Sequence, residues 1–117
     1  MEYAIENEYL IVTVTTWGAQ VKSVVRKFDD VEHMWQADKS VWGYHAPILF
    51  PHTGKVVDDL IETKGEVYQA KQHGFARLME HTLVRQTEDT IVMELRSSEE
   101  TLRIFPYAFR LVSTFTL

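Results

Sequence analysis

Residues 109–117 alternate with a period of two. Phe109, Leu111, Phe115 and Leu117 fall on one side with Ser113 among them, and Arg110, Val112, Thr114 and Thr116 fall on the other. Successive side chains of a strand point to opposite faces, so this run is a strand with one apolar face. Burying four large apolar side chains contributes roughly 1.5–3 kcal/mol each before entropy. A strand of this kind cannot stand alone; it needs a neighbour on an edge and a layer over its apolar face. The alternation runs to Leu117 with no turn or cap. That points to residues 1–117 as the front part of a longer β domain, with an edge open to homo-oligomerisation through the C-terminal strand.

The rest of the chain agrees with this constraint. Ala4-Ile5-Glu6 and the run from Tyr9 to Thr15 read as a hairpin, turning at Asn7-Glu8. Gln20 to Phe28 is a third strand, Asp29-Asp30 a turn, and Val31 to Trp35 a short return strand. Lys64-Gly65 turns between Leu60-Ile61-Glu62-Thr63 and Glu66-Val67-Tyr68. Glu80 to Arg85 is extended, and Ile91, Met93 and Leu95 line one face of a further strand. The one helical signal is Ser98 to Arg103: Ser97 or Ser98 caps it, early carboxylates suit its positive end, and Pro106 stops it. Turn signals every 8–12 residues between short strands predict an all-β, antiparallel sandwich or barrel. The loop over residues 38–59 holds Ile48-Leu49-Phe50 between Pro47 and Pro51, an apolar stretch expected to pack down.

Composition removes several functional classes. The net charge is −5, whereas nucleic-acid binding needs a basic surface. No cysteine is present, so disulfides, thiolate nucleophiles and Cys-ligated zinc are excluded. No apolar run approaches the roughly 20 residues that span a bilayer, and Met1-Glu2-Tyr3 opens without a secretory signal. A cytoplasmic location is the expectation, with no partner in nucleic acid or membrane.

The densest chemistry lies in Gln72-His73-Gly74-Phe75-Ala76-Arg77. It places a proton-transfer group, a permissive backbone, an aromatic plate and a forked cation in succession. By residue type alone two readings stand: a binding site, or a loop whose His73 caps a strand end and whose Phe75 is core. The other histidines are His33, His45, His52 and His81. Their spacing lacks a metal-ligand pattern, so no metal site is assigned, and His33 and His81 read as surface or loop residues. No serine sits on a nucleophile elbow, and no glycine pattern cradles a nucleotide. Trp17, Trp35, Trp42 and Tyr44 permit sugar stacking, although aromatics in a sandwich more often belong to the core.

Several ordered motifs carry a resemblance. They are Gly18-Ala19-Gln20-Val21-Lys22-Ser23-Val24, His33-Met34-Trp35-Gln36, and Trp42 to Pro47 followed by Ile48-Leu49-Phe50-Pro51-His52-Thr53-Gly54-Lys55. The stretch Gln72 to Arg77, and Ser97 to Phe109 with Phe105-Pro106-Tyr107-Ala108-Phe109, complete the set. Together they resemble the aldose 1-epimerase (galactose mutarotase) superfamily, nearest its LacX-like subgroup, with the hexose-6-phosphate epimerases close by. The resemblance implies a galactose-mutarotase-like β-supersandwich, a hexose or hexose phosphate as ligand, and no cofactor. It also implies anomer interconversion by acid–base ring opening, within carbohydrate metabolism. His73 matches the first of the family's two active-site histidines, a catalytic position. Lys55, Phe75 and Arg77 fall at substrate-binding positions, Arg77 where phosphosugar relatives hold the phosphate. Lys55 stands where the family usually has Arg, keeping the charge but losing the fork. His52 stands where an apolar residue is usual. The second histidine, which is the family's general acid, and the carboxylate base lie beyond Leu117, so neither role falls to a residue here. Two alternatives remain beside the epimerase reading: a non-catalytic sugar-binding β module, and a structural β module that assembles through its last strand.

Overall fold

The computed structural model describes residues 1–117. Its first sheet is a meander of β1 (Glu2–Glu6), β2 (Leu10–Thr15), β3 (Gln20–Arg26) and β4 (Val31–Glu32), in that spatial order and antiparallel throughout. The Asn7 carboxamide accepts from the N–H groups of Tyr9 and Leu10, so the tight turn is Glu8-Tyr9, one residue later than the sequence reading. β4 is shorter than expected. The Glu32 carboxylate accepts the Met34 N–H at 2.8 Å and the Val24 N–H at 2.8 Å, diverting the backbone from the ladder.

A separate hairpin follows, β5 (Leu60–Thr63) and β6 (Glu66–Gln69), turning at Lys64-Gly65 as expected. The second large sheet is β7 (Thr82–Gln86), β8 (Thr90–Arg96) and β9 (Arg110–Thr116), again antiparallel. It stacks on the first sheet. Ile5, Val12, Val14 and Ala19 from one side meet Ile91 and Met93 from the other. The result is an antiparallel β-sandwich.

β8 is the central strand, and its Ile91, Met93 and Leu95 are all buried, as the alternation requires. β9 keeps the expected phase, but Leu111, Ser113 and Phe115 are only half-buried because β9 has a single strand neighbour. The molecule is a slab of 56 × 33 × 18 Å with a radius of gyration of 16.3 Å. A compact domain of this length has about 13 Å. Trp17, Trp35 and Trp42 accordingly remain close to half exposed instead of filling a core. No helix is long and apolar enough to cross a membrane.

The helix α1 (Glu99–Leu102) is a single turn. The Ser98 hydroxyl accepts from the Thr101 N–H, and the Thr101 hydroxyl accepts from the Ser98 N–H at 2.8 Å. This is a reciprocal capping box. The helix ends at Leu102, before Pro106, because the N–H groups of Ile104 and Phe105 both turn back onto the Thr101 carbonyl. Ser98→Ala is expected to lower stability by about 1 kcal/mol in urea unfolding. The buried Thr101 hydroxyl remains bonded in that variant, because it still accepts from the residue 98 N–H.

Candidate functional site

Three loops meet at one end of the slab: residues 42–47, 50–55 and 72–78. Phe50 and Gly74 form an isolated parallel bridge. The Phe50 carbonyl accepts from the N–H of Phe75 at 2.9 Å and of Ala76 at 3.3 Å. His73 and Gly74 both adopt left-handed backbone, with φ of 64° and 72°. Gly74 has to be glycine for a second reason: an added Cβ would lie 2.1 Å from the Phe50 carbonyl oxygen.

The sharpest feature is the grip of Gly54 on His73. The His73 N–H donates to the Gly54 carbonyl at 2.9 Å, and the Gly54 N–H donates to His73 Nδ1 at 2.8 Å. A backbone N–H can only donate, so Nδ1 is the acceptor. In the neutral ring the proton therefore sits on Nε2. The Gln72 side-chain amide nitrogen lies 3.4 Å from Nε2; it is itself a donor and cannot accept the Nε2 proton. Lys55 follows Gly54 directly and is exposed, in none of the chain's ion pairs.

Arg77 is partly committed. One terminal N–H donates to the Gln72 carbonyl at 3.0 Å, and the guanidinium carbon lies 4.7 Å from the Tyr44 ring centre. Its Nε is buried without a partner. Tyr44 packs on Trp42, ring centres 5.8 Å apart, and the Trp42 carbonyl accepts from the Trp35 indole N–H at 2.7 Å. The Gln20 carboxamide oxygen anchors this loop by accepting from the N–H groups of His45 and Ala46. Burial holds the His45 imidazole below its usual range, helped by the Lys22 charge and opposed by Glu32.

Phe75 is buried in a cluster with Phe50, Phe105 and Phe109, ring centres 5.0–6.1 Å apart. Its edge also borders a cavity of about 390 Å3 beneath the β5–β6 hairpin, with Ile61, Tyr68, Met79 and Phe105. Neither His73 nor Lys55 lines that cavity. The cavity borders the same loops through Pro51, His52, Gly74 and Phe75, but the His73 and Lys55 side chains lie outside it. No three side chains of metal-ligating type converge.

Of the residues singled out by sequence, His73 and Lys55 are joined through Gly54, Arg77 braces the same loop, and Phe75 supports it from within. Sequence reasoning named Tyr44 only as an aromatic that permits sugar stacking, and missed Gln20 and His81 as parts of this assembly. His81 is the clearest correction. It is 2% exposed, and its Nε2–H donates to the Ala76 carbonyl at 2.9 Å. The signal was there in phase: His81 lies two residues before Leu83, which packs on the core face of β7.

The profile of the aldose 1-epimerase family matches residues 1–117. The chain belongs to the aldose 1-epimerase family. It is 34% identical to Protein LacX of Lactococcus lactis subsp. lactis, an alignment covering 100% of this chain and 40% of that protein. The X-ray structure of a galactose mutarotase related enzyme from Lactobacillus acidophilus superposes with a TM-score of 0.99 at 38% identity. That match covers 100% of this chain and 39% of the other. A galactose mutarotase-like protein from Lactobacillus casei gives a TM-score of 0.95 at 33% identity, covering 100% of this chain and 40% of that one. The fold is therefore a galactose-mutarotase-like sandwich, and the chain spans about two-fifths of the length of these family members.

Proposed function

We propose that the open face of these loops binds an aldose and forms one part of an anomer-interconverting site. His73 would hold and polarise the sugar ring oxygen through a hydrogen bond from Nε2–H. The observation that carries this reading is the Gly54 N–H held on His73 Nδ1, which leaves a proton on Nε2 with only the Gln72 amide nitrogen, itself a donor, beside it. A ring oxygen is an acceptor only, so the neutral tautomer with Nε2–H complements it. Lys55 and the uncommitted N–H groups of Arg77 offer donors for hydroxyls or a phosphate. In the reaction, a general acid protonates the ring oxygen, held by His73 Nε2–H, as the bond from that oxygen to C1 breaks. A base removes the proton of the anomeric hydroxyl, and C1 becomes an aldehyde. Rotation about C1–C2 and reclosure, with both protons returned, yields the other anomer. The reaction needs no redox change, and each positioned proton transfer contributes about 10²–10⁴-fold.

The nearby carboxylates have structural partners. Burial raises the Glu32 carboxyl, but the Ser23 hydroxyl and the N–H groups of Val24, Met34 and His33 outweigh it and hold the group below its usual range. Glu80 accepts from the Thr16 hydroxyl. Within these loops the chain supplies the donor to the ring oxygen and the sugar-holding groups. Galactose, glucose and their 6-phosphates should each be titrated while backbone amide resonances are followed by NMR, with polarimetry for turnover. Saturable shifts centred on Gly54, His73 and Gly74 are expected. The absence of shifts with all four sugars would overturn the reading.

A further inference from the structure

We propose that His81 is the positioning residue of the His73 loop, and that its hold on that loop lapses in mild acid. The inference deepens the sugar-site reading and rests on it only for the role of His73. The Ala76 peptide is gripped from two sides. Its N–H donates to the Phe50 carbonyl at 3.3 Å, and its carbonyl accepts from His81 Nε2–H at 2.9 Å. Ala76 is fully buried and lies three residues from His73, so fixing it fixes the turn that carries the histidine.

His81 is itself fixed to the first sheet. Its N–H donates to the Thr16 carbonyl at 2.8 Å, the Gly18 N–H donates to the Met79 carbonyl at 2.8 Å, and Trp17 bridges to Glu80. Gly18 is pressed so closely on the turn that an added Cβ would lie 2.7 Å from the Arg77 carbonyl oxygen. The imidazole thus transmits the position of the sandwich to the loop.

The acid sensitivity follows from the other ring nitrogen. Nδ1 is buried and has no hydrogen-bond partner. Protonation would create an N–H and a positive charge there with no acceptor in reach. The charged groups on the surrounding elements are Glu80, the Met1 ammonium 3.7 Å from the Glu80 carboxylate, and Arg77 on the turn. Glu80 favours the charged ring, and the two cations oppose it by sign. Burial outweighs the help from the Ala76 carbonyl and Glu80, so the ring is held below the ordinary histidine value. A histidine that resists protonation when closed and accepts it when open favours opening as pH falls. The hold is complete above the ordinary value of about 6.5 and is progressively lost below it.

The test is amide hydrogen exchange on the full chain at pH 5.5 and 7.5, corrected for intrinsic rates. The amides of Phe75, Ala76, Leu78 and Met79 are compared with core amides of Val14 and Met93. In the unsubstituted chain, loop protection relative to the core should drop at pH 5.5, by up to about tenfold if the closed ring stays neutral. His81→Gln places an amide N–H where Nε2 reaches but cannot titrate, so its loop protection should be the same at both pH values. His81→Leu removes the donor and should leave the loop poorly protected at both. An equal pH slope in His81→Gln would overturn the proposal, as would a parallel loss at the core amides. If His81→Leu does not fold, His81→Gln against the unsubstituted chain decides alone. These readings do not need sugar, so a failure to bind sugar would sink the functional reading while leaving this result intact.

Discussion

Gly74→Ala is expected to destabilise the fold by about 3–5 kcal/mol, the largest effect of any glycine-to-alanine change in the chain. Two penalties combine. Gly74 sits at φ +72°, where a Cβ costs roughly 1–2 kcal/mol. The added methyl would also meet the Phe50 carbonyl oxygen at 2.1 Å, its carbon at 2.4 Å and Pro51 Cδ at 2.7 Å. Those atoms are backbone and a ring, so no side-chain rotation relieves the overlap. The Phe50–Gly74 bridge has to open, releasing the aromatic cluster that Phe50 forms with Phe75, Phe105 and Phe109. Gly54→Ala and Gly65→Ala are the controls, since they share the positive φ but have nothing within 4 Å of the new Cβ. Each should cost only about 1–2 kcal/mol. Urea unfolding of the three variants measures the difference. Equal losses in all three would show that close approach at Gly74 contributes nothing.

The same contrast shows which parts of this protein could be read from its sequence. β8 was legible because Ile91, Met93 and Leu95 are forced inward by one period, and burial on one face enforces it. The β5–β6 hairpin was legible because Lys64-Gly65 is a local turn signal. The loops were only partly legible. Glycine at position 74 announces a permissive backbone, yet the carbonyl that requires it belongs to Phe50, far along the chain. Arg77 stacked on Tyr44 is likewise a non-local pairing that no spacing rule encodes. His81 was read as peripheral because residue type weighed more than phase. A polar side chain on the core face is accepted when one buried carbonyl, here that of Ala76, satisfies it. The short β4 has the same kind of cause: the side chain of Glu32 competes with the ladder for backbone donors. The site is thus written in the sequence as residue types, and its geometry is written in hydrogen bonds between loops.

In the proposed site the two nitrogens of His73 have different tasks, and paired substitutions should separate them. In His73→Asn the carboxamide oxygen stands near Nδ1 and can still accept the Gly54 N–H, while nothing replaces Nε2. Asn also tolerates left-handed backbone, which position 73 requires at φ 64°. This variant should unfold within about 0.5 kcal/mol of the unsubstituted chain. Its affinity for aldose should fall about tenfold through the lost hydrogen bond. Any turnover present should fall by about 10²–10³-fold, because the donor that polarises the ring oxygen is gone. His73→Gln does the reverse. Its amide reaches toward Nε2, but the Gly54 N–H loses its acceptor, at a cost of about 1–2 kcal/mol. It should therefore be the less stable variant and the better sugar binder of the two. Sugar titration by NMR and urea unfolding of both variants give the four numbers needed. If His73→Asn bound sugar as well as the unsubstituted chain, the proton on Nε2 would have no part in recognition. The Gly54 clasp would then be only a means of closing the loop.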